Sequence, residues 1–196
     1  MTEHSLFGNY RIILASTSPR RIELIKQIGI KAEIIPSDFE ENLPKSSFPT
    51  PADYVIATAE GKACKVFSEN TDAVVIGADT VVVIDNKILE KPSDAQCAHT
   101  MLSRLSGRIH HLVTGVCICY QDIKHTFHVQ TEVKLIDLSP DLIDWYIGTG
   151  EPFDKAGGYG TRGKGAILVD RIAGCPFSMM GLPLQKLHSE LSRILG

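Results

Sequence analysis

The stretch AVVIGADTVVVI, residues 73–84, decides the fold. Its length and β-branched composition are those of a buried strand. One residue breaks the pattern. Asp79 puts a carboxylate where burial costs on the order of several kcal/mol unless a cation, a metal or hydrogen bonds compensate it. Chains that keep such a charge usually do so for chemistry or metal binding. A competing reading ends the strand at Gly77 and makes Asp79 a solvated turn residue. Against it, the segment from Thr80 to Ile84 resumes the β-branched run at once.

Upstream of this strand, YRIILAS reads as a strand, and Ser18-Pro19 open the helix PRRIELIKQIG, which Gly29 stops. KAEIIP completes a βαβ unit. The polar loop SDFEENLPKSSFPT follows, and Thr50-Pro51 repeat the cap-plus-proline signal for a helix to about Phe67. Downstream, Asp85-Asn86 form a hairpin turn into KILEKP. Ser93 caps a helix running to Leu105, which Gly107 closes. HHLVTGVCICYQ and HTFHVQTEVKLIDL are two further strands, with a bulge expected at Thr114-Gly115. Ser139-Pro140 start a short helix. GTGEPFDKAGGYGTRGKG is a long glycine-dense segment without periodicity, AILVDRI a strand, and GLPLQKLHSELSRIL a closing helix. The expected fold is α/β, a mixed twisted sheet flanked by helices. Residues 1–196 are expected as one domain, with room for two lobes around a cleft.

Hydrophobic content of 43%, charged content of 22% and a net charge of −3 are ordinary for a soluble globular chain. They give no reason to expect attraction to nucleic acid or to an anionic membrane. No apolar run reaches membrane-spanning length, and the N-terminus MTEHSLFGNY lacks a signal-peptide layout. Five scattered cysteines point to reduced thiols and a cytoplasmic setting. Cys117, Cys119, His125 and His128 invite a zinc reading, but one residue between the cysteines is too few for the common knuckle spacing. Alternation instead puts both thiols on one strand face as small hydrophobes.

Arg20 and Arg21 stand in the first turn of a helix, where the dipole disfavours cations. An anion between them would resolve this, held by backbone N–H groups and the hydroxyls of Ser16 and Ser18. Exposed, solvated arginines are the equal alternative. Lys62 and Lys91 each read first as surface lysines, although the hairpin returns Lys91 beside the Asp79 strand. Asp154, Lys155, Tyr159 and Arg162 furnish the glycine-dense segment with polar groups and a ring. His110 and His111 read as structural before catalytic. There is no G-x-S-x-G and no Walker A sequence. A carboxylate, separated cations and the acidic Glu40 and Glu41 suit metal-assisted attack of water on a phosphoanhydride.

These segments resemble the Maf family, the septum-formation-inhibitor-like nucleoside triphosphate pyrophosphatases. The resemblance is carried by ILASTSPRRIELI, AEGKA, VIGADTVV, KP, MLSRLSGRIHHLVTGV, GEPFDKAGGYG and GLPLQKL, in family order over nearly the whole chain. It implies a fold similar to that of inosine triphosphatases, with a phosphate-binding cleft. It also implies hydrolysis of a nucleoside triphosphate to monophosphate and pyrophosphate with Mg²⁺ or Mn²⁺. Asp79 matches the catalytic acid, as general base or metal ligand, and Glu41 a second metal or substrate contact. Ser16, Arg20 and Arg21 match the phosphate-binding turn, Thr80 follows the acid as a substrate contact, and Lys62 and Lys91 match lysines that neutralise phosphates. Asp154 and Lys155 match a DKAG element. A homodimer is implied too.

Departures concern the base. GYGTRG stands for the usual GYGIQG, so Arg162 replaces a glutamine of the subgroup similar to dTTP/UTP pyrophosphatases. SMMGLP stands for NVVGLP, and Glu90 replaces a small residue before Lys91. DKAGGYG separates the chain from the subgroup that resembles 7-methyl-GTP pyrophosphatases. Two other readings stay open: a regulatory binding protein in cell-division arrest without hydrolysis, and a house-cleaning hydrolase of damaged triphosphates.

Overall fold

A computed structural model describes residues 6–196. The first five residues of the N-terminal segment read above lie outside it. Among the described residues, seven strands form one mixed sheet in the order β2-β1-β3-β5-β6-β7, with β4 attached to β3. β1 (Ile12–Leu14) leads through α1 (Pro19–Gln27) to β2 (Ala32–Ile34), parallel to β1, as the βαβ pattern required. α2 (Pro51–Phe67) follows, capped as expected: the Thr50 side chain accepts from the Asp53 N–H, and Asp53 reciprocates at the Thr50 N–H.

β3 (Val74–Ile84) is continuous through Asp79 and is the pivot of the sheet. One edge pairs antiparallel with β5 (Ile109–Tyr120) from Val75 to Val83. The other edge is shared. β1 pairs parallel with Val74, Val75 and Ile76, and β4 (Lys87–Leu89) pairs antiparallel with Val82, Val83 and Ile84. Between these two short partners, no strand among the described residues pairs with this edge of β3 along residues 77–81. The sheet is slotted there, and Asp79 stands in the middle of the slot. Asp85 and Asn86, both at positive φ, close the β3–β4 hairpin as anticipated.

Side chains along β3 alternate between two cores. Val74, Ile76 and Ala78 pack with Leu24 and Ile25 of α1 and with Leu187 and Leu191 of α6 (Leu184–Leu195). Further along, Val82 and Ile84 share that face with Leu102 and Leu105 of α3 (Ala95–Leu105) and Ile143 of α4 (Pro140–Gly148). Val75 packs on the opposite face with Ala59, Ala63 and Val66 of α2, and Val81 and Val83 pack with its Tyr54 and Val55. α2 lies directly on the sheet backbone: a Cβ added to Gly77 would come within 2.4 Å of the Ala59 carbonyl oxygen, and one on Gly115 within 2.5 Å of that of Val55.

Some expectations need correction. Asp94, not Ser93, is the N-cap of α3, because its carboxylate accepts the Cys97 N–H at 2.7 Å. Ser18 occupies the N-cap of α1 but its side chain caps nothing; its N–H instead donates to Ser16 Oγ at 3.1 Å. No bulge occurs at Thr114-Gly115, where the β3–β5 ladder is unbroken. Gly115 serves the close approach of α2 instead, and the irregularity falls between Lys134 and Leu135, where β6 (Ile123–Leu135) meets β7 (Val169–Ala173). The glycine-dense segment contains three 3-10 turns, at Glu151–Asp154, Ala156–Gly158 and Gly163–Leu168. A short helix, α5 (Pro176–Met179), precedes α6.

Candidate active site

The slot opens into a cleft of about 1100 Å³. The residues that the family resemblance assigns to the site all line it: Ser16, Arg20, Arg21, Glu41, Lys62, Asp79, Thr80, Lys91, Asp154, Lys155 and Arg162; Glu40 and His111 do not. Because Asp79 and Thr80 are adjacent on a strand, they point to opposite faces of the sheet. Asp79 turns toward α2, and Thr80 toward α1.

On the α2 side, Lys62 Nζ lies 3.0 Å from Asp79 Oδ1 and 2.9 Å from Glu41 Oε2. The side chains of Lys62 and Asp79 are only 10% and 13% exposed, so each charge depends on the other. Lys62 belongs to the inward stripe of α2, with Val55, Thr58, Ala59 and Val66. That spacing was visible in the sequence and marks Lys62 as a buried partner, not the solvated lysine first expected.

On the α1 side, Arg21 Nε donates to the Gly181 carbonyl at 2.8 Å and Nη2 to Thr80 Oγ1 at 3.2 Å. Gly181 sits at φ +103°, and a Cβ there would press on Arg21 Nε at 3.0 Å, so the contact needs glycine. Protein crowds the guanidinium except on its cleft side. This burial pulls the Arg21 pKa down, opposed by the nearby charges of Asp79 and Glu41.

The remaining cleft charges divide cleanly. Lys45 pairs with Glu90, Lys155 with Asp154 at 2.5 Å, and Arg162 with Glu23 of α1 at 2.9 Å. Burial works against the Asp154 carboxylate, but the Lys155 ammonium more than offsets it and holds its pKa below the usual range. Arg20, Arg21 and Lys91 have no ion-pair partner among the described residues. The cleft therefore presents three uncommitted cations facing a carboxylate pair on a shared lysine. It is prepared for an anion.

Behind the cleft wall, His110 is buried and does not line the cleft. The Tyr159 hydroxyl lies 2.5 Å from its Nε2. With no other acceptor among the described residues, the phenol donates to that nitrogen. Burial pushes the His110 pKa down to about 4, so the ring is neutral, while its Nδ1 lies toward the Arg108 backbone without a fully formed hydrogen bond. The structural expectation for His110 holds. The thiols of Cys64, Cys117 and Cys119 pack together, with sulfur separations of 3.7 and 3.8 Å, and no three-residue metal cluster occurs among the described residues. No described helix is long and apolar enough to cross a membrane. Thr114, Thr131 and Ser178, which link the strands to the Gly181 segment, had no signal in the sequence.

Fold and cleft together define an anion-binding α/β protein whose site is cut into the middle of its sheet. The chain belongs to the Maf family: the family profile described as "Maf-like protein" matches residues 11–194. Among curated relatives it is 45% identical over 183 residues to a dTTP/UTP pyrophosphatase of Bacillus cereus, covering 93% of this chain and 95% of the relative. It is 44% identical over the same length to one of Bacillus anthracis. It is 42% identical over 198 residues to a human protein named as a probable bifunctional dTTP/UTP pyrophosphatase/methyltransferase protein. That match covers 94% of this chain but only 32% of the human protein.

Proposed function

We propose that this protein is a nucleoside triphosphate pyrophosphatase acting on dTTP- and UTP-like substrates. The observation that carries the reading is the slot in β3, with Asp79 held by Lys62 on one side and the uncommitted Arg20, Arg21 and Lys91 on the other. The names of the full-length bacterial relatives support the substrate class.

Arg20, Arg21 and Lys91 bind the triphosphate, with the Ser16 hydroxyl and Lys155 at its margins. Asp79 orients a water and takes its proton as the oxygen attacks the α-phosphorus. The bond from the α-phosphorus to its bridging oxygen breaks, and pyrophosphate leaves with the monophosphate remaining. Lys62, with its ammonium 3.0 Å from Asp79 Oδ1, holds the carboxylate in place for this role.

The donor set fits a divalent cation. Asp79 and Glu41 are hard oxygen donors brought to one lysine, without an all-protein cage, which matches magnesium's habit of using one or two carboxylates plus substrate oxygens. Mg²⁺ or Mn²⁺ held by these two carboxylates would supply charge neutralisation for the phosphates. A cytoplasmic setting agrees with the free thiols. A homodimer, with neither nucleic acid nor membrane as partner, completes the proposal.

The test is a panel of canonical and modified triphosphates read by pyrophosphate release, on wild type and Asp79→Asn. Wild type should favour dTTP and UTP, and Asp79→Asn should lose about 10²- to 10⁴-fold in kcat while remaining folded. Near-wild-type release by the folded variant sinks the assignment. Nucleotide binding without hydrolysis across metals and substrates would instead favour a regulatory binder.

A further inference from the structure

Arg21 is fixed by a closed circuit of hydrogen bonds whose direction is forced at every link. Thr80 Oγ1, which accepts from Arg21 Nη2, lies 2.9 Å from Thr114 Oγ1, and Thr114 Oγ1 lies 2.7 Å from the Ser178 carbonyl oxygen. A threonine hydroxyl has one proton, and a carbonyl can only accept. Thr114 therefore spends its proton on Ser178, and Thr80 must spend its own on Thr114. What Thr80 has left is acceptor capacity, which is what a guanidinium N–H needs.

The circuit returns to Arg21 through Gly181, three residues beyond Ser178, whose carbonyl takes the Nε proton. The segment between is itself anchored. Ser178 Oγ donates to the Cys175 carbonyl at 2.8 Å and lies 2.8 Å from Thr131 Oγ1, which accepts the Cys175 N–H at 3.1 Å. Thr114, Thr131 and Ser178 are all fully buried, so water does not compete for these bonds. Nη1 of Arg21 makes no hydrogen bond to protein among the described residues, and Arg21 lines the cleft.

We propose that Thr114 is a positioning residue for phosphate binding: its hydroxyl closes the circuit that sets the plane of the Arg21 guanidinium toward the substrate. The proposal rests on the phosphate-binding reading of the cleft. Thr114 touches no substrate. It acts by leaving Thr80 only acceptor capacity toward the arginine, so that the guanidinium N–H meets an acceptor.

Thr114→Val keeps the shape and removes the hydroxyl, whereas Thr114→Ser keeps the hydroxyl. Three quantities are measured on each: kcat and KM for dTTP and UTP, Kd for inorganic tripolyphosphate by calorimetry, and the thermal midpoint. Thr114→Val should raise KM and the tripolyphosphate Kd roughly five-fold, with kcat within about two-fold of wild type, as expected for one lost hydrogen-bond link. Thr114→Ser should restore both. In an Arg21→Lys background, Thr114→Val should add nothing further, because its effect travels through the guanidinium.

A lower thermal midpoint with unchanged KM and Kd overturns the proposal, and so does an undiminished effect in the Arg21→Lys background. If Thr114→Val does not fold, Thr114→Cys supplies the comparison with a weaker donor of similar size, and unchanged affinity there is equally fatal. If wild type hydrolyses no nucleotide, the functional reading fails. The tripolyphosphate affinities still decide the role of Thr114.

Discussion

Asp79 and Lys62 form a buried pair, and removing Lys62 alone would strand the Asp79 carboxylate. Glu41 gives Lys62 a second, more exposed partner, so Asp79→Asn leaves the ammonium paired and should preserve the fold. His110 is the other residue whose charge state matters. Its folded pKa of about 4 lies below the ordinary 6.5, so between those values the unfolded chain binds more protons. Its contribution is complete above about pH 6.5 and is lost as pH falls toward 4, by up to about 3 kcal/mol. His110→Gln should flatten the stability profile across that window, measured as urea midpoints at pH 4.5 and 7.0 for both proteins. An unchanged slope would show that the ring is not protonated on unfolding.

Among the elements, α2 does most to place the chemistry, and glycines in two adjacent strands let it do so. Gly115→Ala would set a Cβ 2.5 Å from the Val55 carbonyl oxygen and push α2, with Lys62, off the sheet. Destabilisation of about 1–3 kcal/mol and a loss of activity should follow. Gly148→Ala, at the end of α4 with nothing within 4 Å, is the control and should be neutral or stabilising by about 0.5 kcal/mol. Thermal midpoints and turnover of the two variants separate these outcomes. The order of elements was legible because capping residues, prolines and apolar periodicity are local signals. The choice of Asp94 over Ser93 was not, since both residue types cap helices and only the bond to Cys97 selects one. The 3-10 turns between residues 151 and 168 are too short to imprint a period on the sequence.

At the scale of the molecule, the cleft exists because two short strands share one edge of a long one. Asp79 was legible as an energetic anomaly, and the cleft cations were legible as residue types at element ends. The slot was not, because it depends on where β1 stops and β4 begins along β3, a matter of register between distant segments. Pairing between distant segments likewise hid the Thr80–Thr114 contact across β3 and β5 and the Thr131–Ser178 contact between β6 and α5.

The slot also gives one strand two different dynamic lives. Backbone N–H groups of β3 point alternately to its two edges, and those aimed at β5 along residues 77–81 sit in an unbroken ladder. Those aimed the other way meet no strand among the described residues, and Thr80 there lines the cleft. Deuterium uptake along this segment should therefore alternate, slow at one amide and fast at the next, although all belong to the most central strand of the fold. Filling the cleft with a non-hydrolysable triphosphate should slow the fast set and leave the slow set untouched. Uniform protection in the free protein would mean that the gap closes in solution.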